Sequence, residues 1–497
     1  MRLVRCANTI GAVTDQLDHI TSITLDRASR EALSEQLFAA FAARIETGLF
    51  PASTRLPTTR EVAAALHVNR GSVQAAYRRL QEEGLTSTRV GSGTVVRADA
   101  RRLRRFDASE LVSHRASAIP AAAPPPVSGP MVADFSRLTP DERFFPLERF
   151  TQTLTEAWSR RPELWQYAPP LGLEELRVEI SRRLEESGVT RSPEEILVTS
   201  GAQQGLDLVF RTFTDARDPV AMESPSYPGA LALARFAGVE IVPMPMTPEG
   251  PDVAALRGRR VKLVYVMPER QNPTGVTATD EKRREILEAA VDAGALVIED
   301  GYEEPESGLT PLAARNPERV LWLGTLSKDL VPGFRIGWLA APRAVVERLA
   351  LVKRTADFQT PLPLQAAIAS FLRAGLDREA RSARAREVET RRKEMSGALA
   401  RHLPDLSWWG GEPGSAIFWM ILPPGVSGRR VAEAAAARGV AVSAGADFDP
   451  EGEDRGALRL SVSRVERESI ERGVALLAEA VRETRARASV LESAPVV

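Results

Sequence analysis

A basic, proline-rich stretch at residues 98–130, reading ADARRLRRFDASELVSHRASAIPAAAPPPVSGP, breaks the pattern of this chain in two. It clusters Arg101, Arg102, Arg104 and Arg105 and ends near Pro124-Pro125-Pro126. Such a segment has little to bury and is stiffened by polyproline at its end, so it reads as a linker. It predicts a small N-terminal unit at residues 28–98 and a large one at residues 131–490. The whole chain, 497 residues, is too long for one ordinary core, so two domains agree with its size. Neither part shows a fixed-period repeat.

Composition narrows the chemistry. Sixty-five basic residues against 66 acidic ones leave a net charge of −1, so a nucleic-acid footprint has to be a local patch. Cys6 is the single cysteine, which excludes a disulfide scaffold and a Cys-based metal cluster and fits a reducing compartment. His19, His67, His114 and His402 lie far apart, so no metal site and no His-based triad is expected. No apolar run reaches membrane-spanning length, and a soluble, cytoplasmic protein without membrane contact is the expectation.

The small unit reads as three helices and a hairpin. Leu33, Leu37, Phe38, Phe41 and Ile45 make an amphipathic stripe that stops at Gly48. Thr58-x-x-Glu61 is a capping box opening a helix through Leu66, and Asn69 caps a third helix from Arg70 to about Glu83. Leu85 to Val96 alternates around Gly91-Ser92-Gly93, which is hairpin chemistry. Two short helices, a tight turn and a hairpin make a winged helix-turn-helix, with Arg70, Ser72 and Gln74 toward the outside and Val73, Tyr77 and Leu80 inward. Residues 30–105 hold 13 arginines and seven acids, the local basic patch that DNA binding requires. The words LPTTREVAAALHVNRGSVQAAYRRLQEEGL and VGSGTVV resemble the DNA-binding domain of GntR-type bacterial regulators nearly end to end. The resemblance implies DNA contacts from Arg60, Arg70 and Gly91, with Ser72 beside them, on a double-stranded operator. Asn69-Arg70 stands where that family often has Ser-Arg, so base preference does not carry over.

In the large unit, short unbroken apolar runs alternate with helical stretches such as 280–293. Ile196-Leu197-Val198, Val220-Ala221-Met222, Val261 to Val266, Ala295 to Ile298 and Val320 to Leu323 read as strands buried on both faces. An α/β domain with a central, mostly parallel sheet and a smaller C-terminal α+β part follows. Polar clusters fall just after these runs, where such sheets bind ligands: Ser200 to Gln203, Glu269 to Gly275, Asp300-Gly301-Tyr302 and Thr325 to Lys328. Together they supply an amine that forms an imine, an acid for a ring nitrogen, donors for a ring oxygen and a helix N-terminus for a phosphate.

GAQQGLDL, ESPSYPG, RQNPTG, IEDGY, GTLSKDLVPGFRIGW and LRLSVS, in that order, resemble fold type I aminotransferases, which use pyridoxal 5'-phosphate. Joined to the winged helix, the chain resembles a MocR-type regulator over about 460 residues. The resemblance implies that Lys328 bonds the cofactor and that Asp300 partners its pyridine nitrogen. It places Asn272 and Tyr302 at the ring oxygen and Tyr227 on the ring face. Ala202, Gln203, Thr325, Ser327 and Arg335 fall to the phosphate, Arg459 to the carboxylate of an amino-acid ligand. Tyr167 matches a tyrosine that reaches the phosphate across a dimer, which implies a homodimer. Glu269-Arg270 departs from the family's usual pair and suggests a positive charge in the pocket. The expectation is a transcriptional regulator that senses an amino compound or the cofactor itself. The alternative is a working aminotransferase with an appended DNA-binding domain, and a third reading makes the large unit an empty dimerisation scaffold.

Overall fold

The computed structural model describes residues 20–27, 29, 31–89, 93–97, 111–119, 127, 129–302, 308–328 and 330–493. The chain divides into two compact units, 1–112 and 113–497.

In the first unit, helices α1 (Leu33–Glu46), α2 (Thr59–Ala65) and α3 (Arg70–Glu82) precede strands β1 (Thr86–Arg89) and β2 (Gly93–Val96). Thr58 accepts from the Glu61 N–H at 3.3 Å while the Glu61 carboxylate accepts from the Thr58 N–H at 2.7 Å, so the capping box closes both ways. Asn69 accepts from the Gly71 N–H at 2.7 Å and starts α3. The wing is an antiparallel pair that registers Thr86 with Val96 and Arg89 with Gly93. Phe41 meets the Tyr77 ring edge-on at 5.4 Å, and the Tyr77 hydroxyl donates to the Pro57 carbonyl at 2.9 Å. Leu37, Ile45, Val62, Val73 and Leu80 close the core around them. Ile20 and Ile23 are buried in the same core, although the first 27 residues carry no readable pattern. The segment read as a linker holds one short helix, His114–Ser117, among its described residues.

The second unit is built on an eight-stranded sheet. Its strands are β3 (Ile196–Thr199), β4 (Pro219–Ser224), β5 (Glu240–Thr247), β6 (Gly250–Pro251), β7 (Leu263–Val266), β8 (Leu296–Gly301), β9 (Val320–Thr325) and β10 (Gly337–Ala340). They lie in the order β3-β10-β9-β8-β7-β4-β5-β6. β5, β4, β7, β8 and β9 pair parallel, while β10 runs antiparallel between β9 and β3. The apolar runs are unbroken because both faces are covered: Leu321 and Leu323 enter one core, Val320 and Trp322 the other. β5 and β10 escape a strand reading of the sequence, β5 because Pro243 and Pro245 interrupt it. Helix α4 (Ala202–Phe213) follows β3 and α5 (Asp280–Ala293) precedes β8. A smaller antiparallel sheet pairs β12 (Ile417–Ile421) with β11 (Ser407–Gly410) and β14 (Ala457–Ser461), with β13 (Ser443–Ala444) at the edge. Long helices α6 (Leu376–His402) and α7 (Arg467–Ser493) pack against each other.

Phe41→Ala removes a fully buried ring from the small unit and is expected to cost about 3–5 kcal/mol of that unit's stability. Urea unfolding of the full chain, followed by the transition of this unit, measures it. An unchanged midpoint would show that the Phe41–Tyr77 contact does not hold the three helices together.

Candidate functional site

Parallel β3, β4, β7, β8 and β9 bring their carboxyl ends to one edge, and the polar clusters meet there. They enclose a cavity of about 190 Å³ whose lining includes Ala202, Gln203, Tyr227, Asn272, Asp300, Tyr302, Thr325, Ser327, Lys328 and Arg335. Ten positions that span more than a hundred residues of sequence thus share one wall.

Asp300 is the penultimate residue of β8 and is buried. The β7–β8 register pairs Tyr265 with Ile298, so Asp300, two residues on, returns to the same sheet face as Tyr265. The Tyr265 hydroxyl donates to Asp300 Oδ2 at 2.6 Å. Asp300 Oδ1 is buried and has no hydrogen-bond partner among the described residues. An orphaned carboxylate oxygen at a cavity wall calls for a donor from a ligand, since leaving it bare costs about 1–3 kcal/mol. Burial pushes the Asp300 carboxyl up to about 6, although the Tyr265 hydrogen bond and the Lys328 charge pull the other way. Tyr265 escaped the sequence reading. The signal was there, because a tyrosine in an otherwise apolar buried strand has to find a partner for its hydroxyl.

Lys328 follows β9 and is half-buried; its ammonium donates to the Leu138 carbonyl. That partner stands far away in the chain and no motif announces it. Asn272 accepts at Oδ1 from Arg459 Nη1 at 3.0 Å, which fixes the amide so that Nδ2 remains to donate. Arg459, on β14, also donates to the Ser136 carbonyl at 2.5 Å and to Ser443 at 3.1 Å, and stands over the Phe448 ring at 4.9 Å. Its Nε is buried without a partner among the described residues. Burial pulls its pKa down to about 10, so it stays charged at neutral pH. Arg459 is buried, so it is not a surface ion pair. The Tyr302 hydroxyl donates to the Arg270 carbonyl at 2.5 Å, so its one hydrogen is used within the protein.

At the other end of the cavity the α4 N-terminus opens at Gly201, whose φ of +87° suits glycine. A side chain there would meet Arg335 Nη2 at 2.5 Å, and one at Gly337 would meet the Ala202 backbone nitrogen at 2.6 Å. Both glycines therefore keep a concave cradle open around free N–H groups and a guanidinium. Thr325 accepts from the Ser327 N–H at 3.0 Å, which turns the chain toward the cradle. Gln203 donates to the Gly229 carbonyl at 2.9 Å, and its Oε1 is buried without a partner among the described residues. The two orphaned oxygens and the cradle fit a ligand with a protonated ring nitrogen and an anionic tail, which is the chemistry of pyridoxal phosphate. Tyr167 is not in this wall: it is 86% exposed, with Phe358 its ring neighbour at 6.0 Å. Among the described residues no group of three or more His, Cys, Asp or Glu could hold a metal ion, and no helix is long and apolar enough to cross a membrane.

In the first unit, Arg60 and Arg70 are exposed in the first turns of α2 and α3, and Ser72 is half-buried. Arg70 Nε donates to Thr59 at 3.4 Å, which draws the two helix starts together. Gly91 lies outside the described residues. Arg55 was not singled out in the sequence, yet it bridges to Val95 and its guanidinium packs on Gly93.

Residues 138–477 match the family described as aminotransferase class I and II, and residues 33–96 match the bacterial regulatory proteins of the gntR family. The HTH-type transcriptional regulator TauR of Rhodobacter capsulatus is 31% identical over 88% of this chain and 94% of its own. Aromatic-amino-acid aminotransferase 1 of Thermococcus litoralis is 32% identical over 69% of this chain and 86% of its own. The crystal structure of LysN, an α-aminoadipate aminotransferase from Thermus thermophilus, superposes with a TM-score of 0.69 at 30% identity. It covers 77% of this chain and all of its own, and carries N-(5'-phosphopyridoxyl)-L-leucine.

Three more carboxyls are pushed up by burial besides Asp300: Glu299 to about 7, Glu223 to about 8, and Asp447. In the ligand-free fold these groups keep protons that the unfolded chain releases near pH ~4. Unfolding between about pH 4 and 8 therefore releases protons, and stability falls as pH rises through that window. The ligand-free chain is expected to lose thermal stability steadily from pH 5 to pH 8, with a shallower slope between pH 5 and 7 in Asp300→Asn. Melting curves in a pH series read both, and an Asp300→Asn slope equal to that of the wild type would refute the assignment of proton uptake to this carboxyl.

Proposed function

Because this chain belongs to the MocR-type branch of the GntR-family regulators, a winged helix fused to an aminotransferase domain, we propose that it couples binding at the Lys328 cavity to DNA binding. It is a pyridoxal-phosphate-dependent regulator, and its effector in this reading is an amino compound or the cofactor itself. The observation that carries it is the cavity that Lys328 shares with an Asp300 oxygen that has no donor among the described residues.

When bound, pyridoxal phosphate supplies an aldehyde that combines with amines and a ring that draws electron density from them. The protein's part is to bind and orient. Asp300 Oδ1 would accept from a ring nitrogen while Tyr265 keeps Oδ2 satisfied, so the carboxylate is held ionised and aimed. Asn272, its oxygen tied to Arg459, would give its Nδ2 hydrogen to a ring oxygen. Tyr302 and Tyr227 would close the cavity around the ring, Tyr302 holding the Arg270 carbonyl as it does so. Ala202, Gln203, Thr325, Ser327 and Arg335 would take the phosphate. Arg459 would take an α-carboxylate, a task for which its unsatisfied Nε and planar fork are suited.

A homodimer belongs to the same proposal. Tyr167, Trp165, Trp158 and Phe358 are all more than half exposed, which supports an apolar contact surface there. Tyr167 would then reach the phosphate of the second copy. In the small unit, Arg60, Arg70 and Ser72 would meet DNA, with Gly91 at the wing. Ligand binding changes DNA binding only if the ligand favours one arrangement of the two copies; affinity alone shifts nothing.

Two variants test the halves separately. Lys328→Ala should abolish the imine absorbance band of the cofactor-loaded protein and the lysine adduct trapped by borohydride. Arg70→Ala should weaken binding to a duplex selected from random sequence by the wild type, by about 1–3 kcal/mol in anisotropy titrations, with the cofactor spectrum unchanged. A colourless wild type would remove the cofactor from the account, and unaltered DNA affinity in Arg70→Ala would remove α3 from the groove. Amino-group transfer to a keto acid at about 1 s⁻¹ or faster would favour a working aminotransferase instead.

A further inference from the structure

Behind the Gly201 cradle lies an ion pair whose cation reaches no solvent. Lys353, in the helix Arg343–Asp357, is fully buried. Its ammonium donates to both oxygens of Asp357, one turn on, at 2.6 and 2.8 Å, and to Gln204 Oε1 at 3.4 Å. Gln204 closes the triangle, its Nε2 donating to Asp357 Oδ2 at 2.6 Å. Taking a lysine out of water is unfavourable, and an apolar residue of the same volume often serves a fold as well or better. A charge kept there all the same has partners to position.

The partner is the turn that leads into α4. Gln204 Oε1 accepts from the Ser200 N–H at 2.7 Å, so Lys353 and the turn share one oxygen. The Ser200 hydroxyl stands 3.5 Å from Asp357 Oδ2 and 3.4 Å from the Thr360 hydroxyl. The Ser200 carbonyl accepts from Arg335 Nη2 at 3.3 Å. Ser200 is thereby held at its amide, its side chain and its carbonyl, and the next residue is Gly201, where the cradle opens. Thr360 is brought there through Phe358, whose φ of +62° is one that a bulky side chain adopts reluctantly. Its carbonyl accepts from Gln365 Nε2 at 2.7 Å, and Gln365 Oε1 accepts from the Leu173 N–H at 2.8 Å, so the brace is anchored on its far side too. Lys353, Asp357 and Thr360 are not among the residues that line the cavity, and they act on it through Ser200 and Gln204.

We infer that Lys353 and Asp357 are positioning residues that give the cavity its preference for a phosphorylated aldehyde: they hold Ser200 so that the N–H groups of Ala202 and Gln203 and the Arg335 guanidinium converge on one phosphate. This role rests on the cofactor reading given above. The same pyridine aldehyde without its phosphate still reaches Lys328, Asp300 and Asn272, and gains nothing from the brace.

The test titrates the full chain, freed of bound cofactor, with pyridoxal phosphate and separately with pyridoxal. It reads the imine band, with Lys328→Ala as the blank, and takes the ratio of the two dissociation constants within each protein. The wild type should bind pyridoxal phosphate about a hundredfold or more tighter than pyridoxal, the worth of a few charge-assisted hydrogen bonds. In Lys353→Met and in Asp357→Asn the ratio should fall about tenfold, the worth of one such bond, with pyridoxal affinity nearly unchanged. Lys353→Met/Asp357→Leu removes both charges together and leaves none buried and unpaired, so it should fold, and its ratio should fall as far. A pair that only stabilised the fold would weaken both aldehydes or neither, and the double variant would regain the wild-type ratio. Either that recovery or a ratio unchanged in the single variants overturns the inference while the cofactor reading stands. A wild type that binds the two aldehydes equally does the same, and that measurement needs no variant to fold. Absence of an imine band with either aldehyde would instead bring down the cofactor reading, and this role of Lys353 and Asp357 with it.

Discussion

Everything in the large unit that could do chemistry is arranged around one buried acid that the protein leaves half-satisfied. Asp300 has a donor on one oxygen, Tyr265, and none among the described residues on the other. A fold selected for packing alone would have paired that oxygen or replaced the acid with an apolar residue, since a bare buried acceptor destabilises it. The arrangement makes sense when something with a proton arrives at Oδ1. The same holds at smaller scale for Gln203 Oε1 and Arg459 Nε. These three orphans surround or adjoin one cavity, and they ask for a donor at two points and an acceptor at the third.

The sheet makes this convergence possible. Parallel strands put successive carboxyl ends on one edge, so β3 delivers Ser200 and Gly201, β8 delivers Asp300 and β9 delivers Thr325, Ser327 and Lys328 to the same side. Antiparallel β10 serves the same end differently. Its Gly337 lies against the Ala202 nitrogen, and its glycine allows α4 to start close enough for the cradle to form. A chain with the same residues on an antiparallel meander would scatter them to both edges.

Much of this was legible in sequence, and the reasons differ by element. The small unit could be read almost residue by residue because its first helix carries an apolar stripe and the next two begin with side-chain caps, Thr58 with Glu61 and then Asn69, and caps are local chemistry. The strands β3, β4, β7, β8 and β9 announced themselves by apolar runs, and their ligand-facing ends by the polar words that follow. What stayed hidden depends on distant partners. Leu138 lends its carbonyl to Lys328 and Ser136 lends its own to Arg459 from more than a hundred residues away, and a backbone carbonyl has no sequence signature. Ile20 and Ile23 join the small core as isolated apolar positions without periodicity.

The incomplete acid also ties occupancy to stability. In the ligand-free fold the buried Asp300 resists ionisation, and the Lys328 charge relieves it only in part. A ligand that brings a proton to Oδ1 and an anion to the Gly201 cradle binds the folded unit and not the unfolded chain, so it stabilises the fold by mass action. It acts most strongly above pH ~6, where the bare carboxylate is least tolerated. A sensor built this way does not need a large movement at the cavity to register its ligand. The free energy that was withheld from the empty site is available to the filled one, and any arrangement of the chain that keeps the filled cavity intact is favoured over one that opens it.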